Sequence, residues 1–196
     1  MLSFVGSLEA LPLWRSVVEP DERTVVVLAT AAAYRGVDDA IDELRAVLDI
    51  PFSVVRGTDR SVLTDEASLA TLDEASLILC LDGSVLHARS VWRETILGEV
   101  LRRHDLVAVG AVGSVFGEVM IDPRGAAPTL GMGFFSGVAL AMTTNHEQSM
   151  RTRTLLAPTC ALAEMGPATV ITLDGTWHVP VDGDLEVTRG GQPASL

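Results

Sequence analysis

The sequence predicts an α/β protein: a doubly wound, mostly parallel sheet flanked by helices, with an antiparallel β-rich extension at its C-terminal end. Three observations point there. Short, unbroken apolar runs rich in β-branched residues recur through residue 121, the pattern of strands buried on both faces. Segments with apolar residues at helical intervals alternate with them. Beyond residue 168 the helical spacing stops, and short strand patterns close around Asp174-Gly175 and Asp182-Gly183 turns, so a hairpin-like end to the sheet is expected.

Leu2 to Gly6 and Thr24 to Thr30 read as buried strands, with Leu8 to Val18 as a short helix between them that ends before Pro20. Ala31 to Tyr34 is a turn of small residues at the carboxyl end of the second strand, where open α/β sheets place their ligands. Asp38 to Leu48 spaces Ile41, Leu44, Val47 and Leu48 as a covering helix does; Phe52 to Val55 makes a third strand and Arg56 to Arg60 a polar loop. Ser68 to Leu72 is a short helix and Ser76 to Leu81 a fourth buried strand, running into the turn Asp82-Gly83-Ser84. Val85 to Arg103 is the longest helical pattern, with Val91, Trp92, Ile96, Leu97, Val100 and Leu101 on its apolar side.

The fifth strand is the stretch around which the rest is organised: Asp105 to Val109, then Gly110-Ala111-Val112-Gly113-Ser114-Val115-Phe116-Gly117-Glu118. An apolar run that turns at small residues into a helix-compatible segment matches a buried strand feeding a nucleophile elbow. After it, Pro128 to Gly137 reads as a Gly-rich loop, Val138 to Met142 as a strand, Glu147 to Leu156 as a helix, and Ala168 to Leu173, Thr176 to Val181 and Leu185 to Thr188 as short strands. Gly190 to Leu196 reads as a loose tail.

Composition narrows the function. With 196 residues, 48% of them hydrophobic, the chain suits one domain over 1–196 with a sizeable core. A formal net charge of -12 repels phosphate backbones and anionic lipid heads, so neither nucleic acid nor membrane is an expected partner. All 14 Lys-plus-Arg residues are Arg, which excludes a Lys Schiff base or a Ser-Lys pair. Cys80 and Cys160, in apolar surroundings, fit reduced core thiols. Met1 to Val5 lacks a basic leader region and no apolar run approaches the ~20 residues of a membrane span, so the chain reads as cytoplasmic. The histidines His87, His104, His146 and His178 are dispersed without metal-ligand spacing; neither metal nor cofactor is expected.

Phe4-Val5-Gly6-Ser7, Ala29-Thr30-Ala31-Ala32, Leu81-Asp82-Gly83-Ser84, Thr95-Ile96-Leu97, Asp122-Pro123-Arg124-Gly125, Leu130-Gly131-Met132-Gly133 and the stretch Gly166 to Asp174 follow one another in an order that resembles the cyanophycinase and dipeptidase E group, serine peptidase family S51, built on a class I glutamine-amidotransferase-like fold. The resemblance covers nearly the whole chain. It implies an elbow of the form Gly-x-Ser-Ala-Gly whose Ser attacks a peptide carbonyl, a downstream His that takes its proton, and an acidic residue that orients the imidazole. An ungapped reading through Gly117-Glu118 and Asp122 to Gly125 puts Gly110 at the nucleophile position and Ala111 after it; from Leu130 to Gly133, the His position falls on Thr143.

Elbow sterics agree, because the residues two places either side of the turn must be small. Ser114 is flanked by the bulky Val112 and Phe116, whereas Gly110 has Ala108 and Val112. Ser114 and His146, with Glu118 or Asp122, nevertheless compose a Ser-His-acid set; against it, Ser114 reads as a helix-capping hydroxyl and Thr144 to Glu147 as the start of a helix. Asp82, Gly83, Ser84, Ala111 and Arg124 are the expected ligand pocket, with Asp82-Gly83 where the resemblance implies Gly-Gly amides holding the oxyanion; a carboxylate there opposes oxyanion stabilisation. Arg124, Arg151 and Arg153 have the chemistry to hold a substrate carboxylate, or to make surface ion pairs.

The leading expectation is a catalytically degenerate S51-like protein with a binding, scaffolding or regulatory role, taking a small acidic peptide or amino-acid-like ligand and pairing with itself or an intact relative. The alternative is an active serine hydrolase of small acidic peptides or isopeptides, working through Ser114 and His146. A third reading makes Cys80 the nucleophile of an amidotransferase-like subunit.

Overall fold

In a computed structural model of the chain, the structure describes residues 1–18, 23–122, 127–144 and 146–196. β1 (Leu2–Val5) leads through a 3-10 turn (Leu8–Ala10) into α1 (Leu11–Val18), and β2 (Val25–Leu28) through a second 3-10 turn (Thr30–Tyr34) into α2 (Val37–Val47). β3 (Phe52–Val55), α3 (Arg60–Leu63) and α4 (Glu66–Asp73) precede β4 (Leu77–Cys80), α5 (Val85–Trp92), α6 (Ile96–Arg102) and β5 (Asp105–Val109). A 3-10 segment (Gly110–Phe116) follows, then β6 (Val119–Met120), β7 (Thr129–Leu130), β8 (Val138–Met142), α7 (His146–Leu155), β9 (Ala161–Met165), β10 (Val170–Asp174), β11 (Thr176–Val181), β12 (Leu185–Arg189) and β13 (Gln192–Pro193).

The main sheet runs β11-β10-β1-β5-β4-β2-β3, parallel from β1 to β3, with β10 and β11 added antiparallel. The doubly wound α/β class with an antiparallel end is therefore what forms. Alternation along each strand divides the core into two layers. Phe4, Val26, Leu28, Ile78, Cys80, Leu106 and Ala108 face one layer, closed by α5, α6 and the 110–116 segment; Val5, Val25, Val27, Leu77, Leu79, Val107 and Val109 face the other, closed by α1 and α2. Each fully buried Val or Leu contributes about 1.5–3 kcal/mol relative to exposure, which is why both faces of these short strands must be apolar.

Four expectations need correction. The helical pattern over 85–103 is two helices: Glu94 sits at φ 58 and Arg93 is extended. Thr95 turns its hydroxyl back onto the Trp92 carbonyl at 2.8 Å, satisfying an orphaned acceptor at the end of α5. The break leaves Ile96 exposed, so it does not belong to the apolar side. Ala161–Met165, unassigned from sequence, forms β9 of a second sheet ordered β13-β12-β9-β8, which stacks Val138, Leu140, Ala161, Ala163 and Met165 against the first core layer. The loose tail is also an error, because Gln192–Pro193 pairs with β12 and the Ala194 amide donates to the Val187 carbonyl at 2.9 Å. Within the expected loop 128–137, Thr129–Leu130 pairs antiparallel with β6. No helix among the described residues is long and apolar enough to cross a membrane.

Candidate functional site

The carboxyl ends of β2, β4 and β5 converge, as the ligand-binding edge of an open parallel sheet does. The turn after β4 is docked onto the turn after β2: Leu81 N donates to Leu28 O at 3.2 Å and Ser84 N to Ala31 O at 2.7 Å. The approach is so close that a Cβ on Gly83, at φ 154, would lie 2.1 Å from Ala31 O, so only glycine fits. Ser84 then caps α5, its Oγ accepting from His87 N at 3.4 Å.

At the end of β5 the backbone bends at Gly110, which has φ 64, the left-handed conformation that costs an L residue about 1–2 kcal/mol. The segment that follows is a 3-10 helix whose Val112, Val115 and Phe116 are buried. Above the bend stands Asp82. Its Oδ1 accepts from the amide of Gly83 at 2.8 Å and from the amide of Ala111 at 3.0 Å. A Cβ added to Gly110 would fall 2.3 Å from Asp82 Cγ and 2.5 and 2.6 Å from its two oxygens. The carboxylate therefore fills the volume that any side chain at position 110 would need. Burial pushes the Asp82 carboxyl above the ordinary aspartate range, partly offset by the amides of Gly83, Ala111 and Val112 and by the Arg35 charge.

Beside this turn opens a cleft of about 320 Å³ lined by Ala31, Tyr34, Arg35, Gly83, Ser84, Val85, Leu86 and Asp122. Tyr34 ends the turn that the sequence marks as a ligand-placing edge; Arg35, the next residue, is a wall that the sequence did not single out. Tyr34 is held by His87: the imidazole Nε2 donates to Thr58 O at 2.6 Å, leaving Nδ1 to accept from the Tyr34 hydroxyl at 3.3 Å. Arg35 is paired with Glu43.

The other candidates are not drawn together. Ser114 is 5% exposed and its hydroxyl donates backwards to Ala111 O at 2.9 Å, inside the 3-10 segment, so it is not a helix cap. The space around it, bounded by Phe4, Gly110, Ala111, Gly113, Leu140, Ala141, Met142 and Met165, amounts to about 10 Å³, too little for a substrate. Glu118 is exposed, and its charge bears on Cys160. Thr143 is exposed after β8, its amide donating to Met165 O at 3.0 Å. The backbone of His146 opens α7; its side chain, and all of Arg124, lie outside the described residues. Arg153 bonds Glu164 and Glu186 on the second sheet. Cys80 is buried within β4, where burial pushes its thiol far above the ordinary range, so it presents no thiolate. Among the described residues no three His, Cys, Asp or Glu side chains group as a metal site.

No protein family model matches the chain, and no curated protein does. Solved structures do. A peptidase from an acI-B1 Actinobacterium superposes with a TM-score of 0.79 at 18% identity, over 100% of this chain and 93% of that one. A Listeria monocytogenes EGD-e protein assigned as a peptidase E superposes at 0.61 and 10% identity, over 96% and 97%. The chain thus shares the fold of these two proteins.

Proposed function

We infer that this chain is a catalytically degenerate, S51-like member of the glutamine-amidotransferase-like fold, a single domain over 1–196 that binds rather than cleaves. One observation carries the reading: the Asp82 carboxylate occupies the volume over Gly110 and takes the amides of Gly83 and Ala111 on one oxygen. In a serine peptidase that volume holds the nucleophile, and amides so placed receive the developing oxyanion. Here the first has no side chain and the second is met by a fixed negative charge. Ser114 offers no substitute, because its hydroxyl is buried and committed to Ala111 O.

The cleft beside Asp82 remains, with the size for an amino-acid-like ligand or short peptide. A binding or regulatory role in the cytoplasm, alone or paired with a second copy or an intact relative, accords with this and with two buried thiols. The test is labelling of the pure protein by a fluorophosphonate probe alongside Ser114→Ala. No label in either is the expected result; a label lost on Ser114→Ala establishes an active serine hydrolase instead.

A further inference from the structure

An anion is visible in the amide pair of this site, and it belongs to the chain itself. Gly83 N and Ala111 N converge on Asp82 Oδ1 at 2.8 and 3.0 Å, an arrangement that recognises one oxygen of a carboxylate. Each amide is also held by contacts that do not involve the Asp82 side chain. Gly83 is aimed by the contact of its turn with Ala31, where no other residue fits, and by the Ser84 N to Ala31 O bond of 2.7 Å. Ala111 N is aimed by the left-handed turn at Gly110 and by the burial of Val112 and Val115 beyond it. Donors held by the fold persist when the acceptor is taken away.

We propose that the amides of Gly83 and Ala111 form a carboxylate-binding site which Asp82 occupies in cis, and which a carboxylate from another molecule takes once Asp82 is neutralised or removed. This rests on the reading of position 110 as lacking a nucleophile. Gly83 and Ser84 also line the 320 Å³ cleft, so the entering group is the acid end of a small molecule whose body lies against Ala31, Val85, Leu86 and Tyr34. Among the described residues, the charged and titratable groups around the site are Arg35 after the 30–34 turn, Asp122 and Tyr34 in the cleft lining, and His87 on α5. Arg35 favours either carboxylate, and its bond to Glu43 limits that pull. While Asp82 is ionised, an incoming carboxylate loses both amides and meets a like charge, so the site is closed.

The probe is sodium acetate, against sodium chloride at matched ionic strength, read on the backbone amide resonances of the full chain. In Asp82→Ala at neutral pH, acetate is expected to shift Gly83 and Ala111 together and saturably; in the wild type at the same pH it leaves both unmoved. Without any substitution, acid titration of the wild type moves those two resonances together with one midpoint. Acetate shifting neither in a folded Asp82→Ala, or shifting both equally in the wild type at neutral pH, overturns the proposal. Should Asp82→Ala not fold, the wild-type titration decides alone, and separate midpoints for the two amides refute it. Fluorophosphonate labelling, by contrast, would overturn only the nucleophile-free reading.

Discussion

Asp82 and Gly110 are sterically coupled: the carboxylate of one lies 2.3–2.6 Å from the place where a Cβ on the other would be. Neither residue can be changed as though the other were absent. The pair also joins two strand ends, β4 and β5, through the bond that Ala111 N donates to Asp82 Oδ1.

The coupling is measurable as a double-mutant cycle. Gly110→Ala should destabilise by about 1–2 kcal/mol for the left-handed backbone and by about 1–3 kcal/mol more for overlap with Asp82. In the Asp82→Ala background the overlap disappears and the backbone cost stays. Urea unfolding of the four proteins is expected to give an interaction energy of about 1–3 kcal/mol; additive effects would show that the carboxylate moves aside freely.

A second prediction concerns pH. Because burial raises the Asp82 pKa in the folded state above its unfolded value of about 3.9, the protonated form is the one that folding favours. Its contribution is complete below that unfolded value and is lost as pH rises through the folded one. Asp82→Asn keeps an acceptor for the amides and removes the ionisation. Relative to this variant, the wild type should therefore lose unfolding free energy between acid and neutral pH; a difference that grows in favour of the wild type would contradict the assignment.

The parallel sheet was legible because Val25 to Leu28, Leu77 to Cys80 and Leu106 to Val109 are apolar at every position, and only two-sided burial demands that. The second sheet was not legible, since Ala161-Leu162-Ala163-Glu164-Met165 mixes small residues with a charge. That charge is tolerated because Arg153 arrives from α7 to meet it. The bend at Gly110 was legible in the small residues around it; the placement of Asp82 over it was not, because it depends on how two turns 29 residues apart are docked. The break at Glu94 escaped because the apolar residues on both sides of it keep a helical interval.

The Arg153–Glu164 pair yields a third prediction. Glu164 is 2% exposed and accepts from Arg153 Nε at 2.6 Å, while Arg153 Nη2 also reaches Glu186 at 2.9 Å. Arg153→Met leaves a buried carboxylate uncompensated and should cost about 3 kcal/mol at neutral pH. Arg153→Met with Glu164→Gln should recover most of that loss, which urea unfolding resolves. Equal losses in the single and double variants would mean that packing by the arginine stem, and not charge, holds α7 to the sheet.

Asp105 supplies the opposite pH signature at the opposite end of β5. Burial raises its pKa, but bonds from the Met1 ammonium and from Arg23 outweigh burial, so the folded value lies below the ordinary one. For a depressed carboxyl the contribution is present above the unfolded value of about 3.9 and disappears as pH falls through the folded value. Asp105→Asn should accordingly cost about 1 kcal/mol at neutral pH, the upper range for a partly exposed ion pair, and nothing in acid. Arg23→Gln should reproduce part of that loss with the same pH dependence. Asp105 pairs in register with Leu77, at the start of β4, whereas Asp82 lies just past the end of that strand, so substitution there should leave the Gly83 and Ala111 amide resonances in place. Asp82→Asn and Asp105→Asn then bend the stability profile of one protein in contrary directions, and slopes of the same sign would exclude one of the two electrostatic assignments.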